Sequence, residues 1–228
     1  EQYNMAYFTG PNIVTDGLVY AVDAGSERSY PGTGTTVTDL VGSSNGVLEN
    51  GVGFDSANGG SWSFDGVDEY ITLPFNSSLD VDYLTVQVFI KSTFAIGPNS
   101  RHYVFSGLSH RWAIIVDEAN TLRWYVNTTA GVSEITWVDS SVSEDVWMDI
   151  TCTFSGSKSR IYVNGVSVAS ASHTGTIQTA STYGRLMDYL GNGFETEGLA
   201  SIFRIYNKAL TDAEVLQNFN AQKSRFGL

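Results

Sequence analysis

The sequence is poor in cysteine, proline and positive charge, and each shortage closes off a class of protein. Cys152 is the single cysteine among 228 residues, so no intrachain disulfide can form. Its setting in "MDITCTFSG" predicts a buried strand residue, where a thiolate is disfavoured. With only 4 prolines, little interrupts extended chain. Lys and Arg number 12 against 24 Asp and Glu, a formal net charge of −12. Phosphate binding draws on a Lys/Arg surplus, so this balance argues against nucleic acid, and equally against an anionic membrane surface. No apolar run approaches the roughly 20 residues of a membrane-spanning helix. The polar start "EQYNMAYFTG" has no signal-peptide profile. A soluble chain with no membrane partner is the expectation.

What is plentiful favours strands and tight turns: 23 Gly, 12 Tyr and 12 Phe, with 42% hydrophobic residues against 16% charged. "GLVYAVDAG" is the first convincing strand. "GSWSFDGVDEYITL" reads as a strand pair interrupted by Asp65-Gly66. "YLTVQVFIKS" alternates, with Leu84, Val86, Val88 and Ile90 on one face and Thr85, Gln87, Phe89 and Lys91 on the other. "RHYVFSG", "RWAIIVD", "LRWYVN", "EITWVD" and "WMDITCTFS" follow. "RIYVNGVSV" predicts a hairpin, because Asn164-Gly165 tolerates the positive φ of a type I′ turn. "GRLMDYLGNG" and "ASIFRIYN" close the series. Many short strands with regular turn signals predict an all-β sandwich.

The two ends differ from this pattern. In "TDAEVLQNF", Thr211 and Glu214 form a capping box, and Asp212 suits the first turn of a helix over about 211–221. Val215, Leu216 and Phe219 give that helix an apolar face, expected to dock on the sandwich. Residues 1–16 read as an arm. Its Tyr3, Met5, Tyr7, Phe8, Ile13 and Val14 are too apolar for a free tail and are expected to pack on this domain or another chain. Residues 17–228 then form one domain.

Several stretches, in this order, resemble the laminin-G-like branch of the concanavalin A-like jelly rolls: "FDGVDEYITL", "LTVQVFIKS", "WMDITCTFSGSKSRIYVNG" and "FRIYNKALTDAEV". The resemblance implies two stacked antiparallel sheets, one concave, with "RIYVNG" as a hairpin within a sheet. "FTGPNIVTDGLVYAVDAGSERSYPGTGTTVTDLVGSSNGVLENG" and the ending "EVLQNFNAQKSRFGL" are similar to laminin-G-like proteins encoded by tailed bacteriophages. That narrower resemblance implies a head-decorating, neck or tail appendage protein on the virion. Its partners would be other virion proteins or further copies of the chain, with a glycan as ligand. A bacterial extracellular carbohydrate-binding or adhesion module is the second reading.

For catalysis the sequence offers little. Retaining glycoside hydrolysis needs two carboxyl groups about 5–5.5 Å apart. The nearest alternations are Glu195/Glu197 and Asp80/Asp82, read as solvated loop carboxylates without a third alternating acid. His102 and His110 accompany no serine in a nucleophile elbow, and His173 sits in a Ser/Thr-rich turn. A non-catalytic chain is the expectation.

The resemblance also implies a structural calcium between the first and last strands, with Asp23 as one ligand. An acid usually stands three residues before "RIYN"; here that position is Ser201. Asp39, Asn45, Asp65 and Asp68 remain as further oxygen donors. For sugar binding, Trp62, Trp112, Trp124, Trp137 and Trp147 read mostly as core. The opposite strand faces present Arg123, Tyr125 and Asn127, and Arg160, Tyr162 and Asn164, the candidate groove if both line the concave sheet. The sequons at Asn76 and Asn127 carry meaning only in a secreted eukaryotic protein.

Overall fold

The computed structural model describes residues 11–74, 77–92, 101–107, 111–117, 120–143, 145–178, 184–189 and 194–228. The sequence-predicted arm residues Tyr3, Met5, Tyr7 and Phe8, together with His110 and the sequon at Asn76, lie outside the described residues.

Sixteen strands among the described residues form two antiparallel sheets of eight. The first sheet runs β14 (Val166–Ser172), β13 (Lys158–Val163), β12 (Trp147–Phe154), β7 (Leu84–Lys91), β16 (Glu197–Tyr206), β5 (Ser61–Asp65) and β4 (Gly53–Asp55). β1 (Leu18–Asp23) also pairs with β16, continuing along the side where β5 ends. The second sheet runs β11 (Gly131–Val138), β10 (Thr121–Thr128), β9 (Trp112–Asp117), β8 (His102–Gly107), β15 (Gly184–Leu186), β6 (Tyr70–Leu73), β3 (Gly46–Glu49) and β2 (Thr36–Val37). This is the all-β jelly-roll sandwich that the strand pattern predicts.

Period-two alternation explains the core between the sheets. Leu84, Val86, Val88 and Ile90 of β7 and Met148, Ile150, Cys152 and Phe154 of β12 face Trp112, Ile114, Val116, Leu122, Trp124 and Val126 from β9 and β10. The Asn164-Gly165 turn joins β13 and β14 with φ of 51° and 77°, as a type I′ turn requires. One expected pairing is not found. β5 and β6 do not form a hairpin: β5 lies in the first sheet beside β16 and β4, and β6 in the second beside β15 and β3. The turn at Asp65-Gly66, tightened by Glu69 Oε2 accepting from the Asp65 amide at 2.7 Å, carries the chain between sheets.

The central strands of the first sheet, β7, β12 and most of β16, are buried on both faces. The outer face of the sheet carries Thr85, Gln87 and Phe89 of β7, Trp147, Asp149 and Thr151 of β12, and Ile202, Arg204 and Tyr206 of β16, all buried. The cover is the helix α1 (Asp212–Gln222) and the tail after it. Thr211 caps α1 through the reciprocal box with Glu214, as the sequence predicts. Val215 and Phe219 point inward, but Leu216 is 44% exposed, a correction to the expected apolar face. Val215, Asn218 and Phe219, spaced three and four residues apart, share one stripe of the helix, and Leu216, about 100° around from Val215, falls outside it. Asn218 is the third inward residue, donating to Tyr206 Oη at 2.9 Å and accepting from the Val14 amide at 2.8 Å. Val14 is therefore held beneath the helix, buried with Tyr206, Leu210 and Val215.

Candidate ligand-binding face

The outer face of the second sheet is different in character. Along β10, Leu122, Trp124 and Val126 turn inward, leaving Arg123, Tyr125 and Asn127 outward. The register sets Arg123 opposite Ile115 on β9 and Thr136 on β11, and Tyr125 opposite Ala113 and Glu134. At one end of β9, Asp117 holds two guanidinium groups. Arg101 Nε donates to its Oδ1 at 3.0 Å and Nη2 to its Oδ2 at 3.2 Å, while Arg123 Nε lies 2.5 Å from Oδ2. Arg123 Nη1 also donates to Glu134 Oε1 at 2.8 Å. The bond to Asp117 raises the pKa of Arg101, so its guanidinium stays charged.

Beside this clamp lies an aromatic cluster. Tyr103 of β8 stacks on Tyr189, with ring centroids 4.5 Å apart and 17° between planes, and Phe194 tilts against both. Tyr125 packs on the same group through Ala113 and Ile115. Burial raises the phenol pKa of Tyr103 and of Tyr125, where the Glu134 charge adds to it, so both stay protonated. Farther across the sheet, Arg185 lies over the Tyr70 ring, 3.8 Å from its centroid, and pairs with Asp188. Tyr103 is itself buried, so the partly exposed Tyr125, Tyr189 and Phe194 are the rings that can meet a ligand. Aromatic rings next to planar, charge-assisted donors and carboxylate acceptors are the chemistry that grips a sugar ring by its apolar face and its hydroxyls.

The family model described as the concanavalin A-like lectin/glucanases superfamily, of laminin-G type, matches residues 64–216. The chain belongs to this family. Among solved structures, this lectin-like fold is similar to the binding domain of Paraclostridial mosquitocidal protein 1, with a TM-score of 0.72 and 18% identity over 90% of the chain. It is similar also to the binding domain of botulinum neurotoxin serotype G (TM-score 0.72, 16% identity, 91% of the chain). A third is the serotype D ligand binding domain, solved in complex with N-acetylneuraminic acid (TM-score 0.71, 12% identity, 91% of the chain). The chain spans about half the length of these structures, 52%, 51% and 51%. No curated protein matches it by sequence.

Within this lectin-like frame the two sequence-predicted triplets do not share a groove. Arg123, Tyr125 and Asn127 lie on the second sheet; Arg160 and Tyr162 lie on β13 of the first, and Asn164 in its turn. Tyr162 is fully buried under α1 and donates to Asp212 Oδ1 at 2.7 Å. Asn164 Oδ1 accepts from the Asp149 amide at 2.9 Å, a structural role in the turn. The face is built instead from residues the sequence reading missed: Arg101, Tyr103, Asp117, Tyr189 and Phe194. Extending the alternation of β10 to its neighbours puts Asp117 on the same face as Arg123. Tyr103 is harder to place, because a bulge shifts the β8–β9 register beyond it.

The acids read for calcium or catalysis are likewise spread out. Asp39 is buried and accepts the amides of Ala21, Val41 and Ser44, the work of a loop staple. Asp65 and Asp68 are exposed in the turn between β5 and β6. Asn45 Oδ1 accepts from the Asp39 amide. Asp23 pairs with Arg225. Among the described residues, no group of three or more His, Cys, Asp and Glu side chains could hold a metal ion, so these four acids do not fit a shared calcium. Glu197 is exposed opposite Asp65 in the β16–β5 register, and the Glu195 carbonyl lies 3.0 Å from His102 Nδ1. Asp80 and Asp82 line a cleft of about 590 Å³ with Arg111 and Gln178. His173 Nε2 is 2.8 Å from Thr128 Oγ1. The Cys152 thiol is buried, and burial first, then the Asp149 charge, pushes its pKa up. Among the described residues, no helix is long and apolar enough to cross a membrane.

Proposed function

We propose that the chain is a non-catalytic, lectin-like module that binds glycans through the outer face of its second sheet. One observation carries this reading: the Arg101–Asp117–Arg123 clamp sits beside the Tyr103, Tyr125, Tyr189 and Phe194 cluster on a single sheet face. The fold is compatible with that use. The serotype D domain was solved with N-acetylneuraminic acid, and the cell entry of botulinum neurotoxin type C is described as dependent upon interaction with two ganglioside molecules. A glycan array tests the reading. The protein should retain a defined set of sugars, and Tyr125→Ala should weaken retention about tenfold or more with little change in melting temperature. An array without retained sugars counts against it, and so does one on which Tyr125→Ala behaves as the parent.

The setting we propose is the virion of a tailed bacteriophage, where the module would be an appendage or decoration attached to other virion proteins or to copies of itself. The wording of the N-terminal half and of the C-terminal ending supports this. Peptides of the chain in purified particles would bear it out. A gene set among polysaccharide or surface-protein genes, without capsid and tail genes, would favour a bacterial extracellular adhesion module instead.

A further inference from the structure

The seat that the family resemblance assigns to calcium contains a cation belonging to the chain itself. Arg225, in the tail beyond α1, sends its guanidinium across the edge of the first sheet to four acceptors from three segments. Nη1 donates to Asp23 Oδ1 at 2.7 Å, at the end of β1. Nη2 donates to Ser201 Oγ at 2.6 Å, on β16, and to the Gly60 carbonyl at 2.7 Å. Nε donates to the Asn58 carbonyl at 2.5 Å. Ser201 is thus in the seat, at the position where the resemblance calls for a second acid, and its hydroxyl also donates to the Gly60 carbonyl.

The seat is shaped for a planar group. A Cβ on Gly25 would stand 2.3 Å from Arg225 Nη2 and 2.5 Å from the Gly59 carbonyl, so glycine is needed there, and one on Gly59 would stand a tight 3.1 Å from Nε. The pair is mostly shielded, with side-chain exposures of 13% for Arg225 and 19% for Asp23. The next residue, Phe226, stacks on Phe89 at 4.8 Å and tilts on Trp147 at 4.6 Å, which fixes the tail on the other side. A carboxylate, two carbonyls and a hydroxyl are hard oxygen donors of the kind calcium takes. With a single carboxylate, however, they balance one positive charge, and each of these oxygens accepts from a guanidinium N–H.

We propose that the Arg225 guanidinium is the resident cation of this seat, so that the C-terminal tail, in place of a divalent ion, ties the first strand of the domain to the last. The fold is then indifferent to calcium, and the seat accepts a divalent ion only when Arg225 is gone and Ser201 has become acidic. Thermal melts at matched ionic strength, in millimolar calcium and in EDTA, test this. The parent chain should melt at one temperature in both. Arg225→Ala should melt about 5 °C or more lower, through the uncompensated Asp23. Arg225→Lys should recover only part of that loss, because a point charge cannot span the planar acceptors. Arg225→Ala combined with Ser201→Asp should be stabilised by several degrees on adding calcium. The proposal is overturned by a parent melting temperature that rises with calcium and falls in EDTA. It is equally overturned if Arg225→Ala melts with the parent, or if the double variant ignores calcium.

Discussion

Asp149 gives the outer face of the first sheet a measurable pH dependence. Its carboxyl is fully buried under α1, where both oxygens accept from Gln87 Nε2 at 3.1 Å and Oδ1 also accepts from Thr151. Arg204 Nη1 donates to Gln87 Oε1 at 3.1 Å, and its positive charge also acts on Asp149 to lower the pKa. Burial outweighs these contacts and raises its pKa from 3.8 to about 7. A carboxyl with a raised folded-state pKa is protonated in the folded chain and ionised in the unfolded one between those two values. Stability contributed by this group is therefore full below pH 4, falls as pH rises toward 7, and levels off above it. About three pH units at 1.36 kcal/mol each give a loss of about 4 kcal/mol, an order-of-magnitude figure for a buried group. Urea unfolding from pH 4.5 to 7.5 measures it, with Asp149→Asn as the reference that cannot titrate. The variant forfeits part of the bonding to Gln87 at every pH, a constant offset that leaves the slope untouched. Relative to the variant, the parent should lose about 3 kcal/mol across that range. Parallel profiles for the two proteins would refute the buried-carboxyl argument.

The remaining predictions concern packing. Phe219→Ala should destabilise by about 3–5 kcal/mol, whereas Leu216→Ala should stay within about 0.5 kcal/mol of the parent, because Leu216 is largely exposed; denaturant midpoints at unchanged slope decide it. Cys152 should react with a thiol reagent only as fast as the protein unfolds, since its side chain is buried and its thiol pKa raised; rapid labelling in native buffer would contradict its core position.

The sequence foretold those features that depend on local period. The alternation in "LTVQVFIK" does divide β7 into a core face and an outer face, and Thr211 and Glu214 do cap α1. It did not foretell that the outer face of β7 is itself buried, because polar Thr85 and Gln87 look solvated until α1 and the tail are laid over them. Period alone also cannot assign a strand to a sheet. β5 and β6 are separated by a short turn, yet one chain crossing puts them in different layers. The same blindness joined Tyr162 with Tyr125, two outward residues of two different sheets, one covered by a helix. At the candidate face, β10 supplied its residues from alternation, while Tyr189 and Phe194 come from outside the regular strands, where no period exists to read. The departure at Ser201 was visible in the sequence, but its partner Arg225, 24 residues on, was not.

The central claim is that ligand meets the outer face of the second sheet. Two-dimensional NMR of the isotopically labelled chain, titrated with the glycan that the array retains best, tests it most directly. The account predicts shift changes concentrated on Arg101, Tyr103, Asp117, Arg123 and Tyr125, with β13, β14 and α1 unmoved. Changes centred on β13, β14 or α1, with the signals of Tyr103 and Tyr125 unaltered, would contradict it.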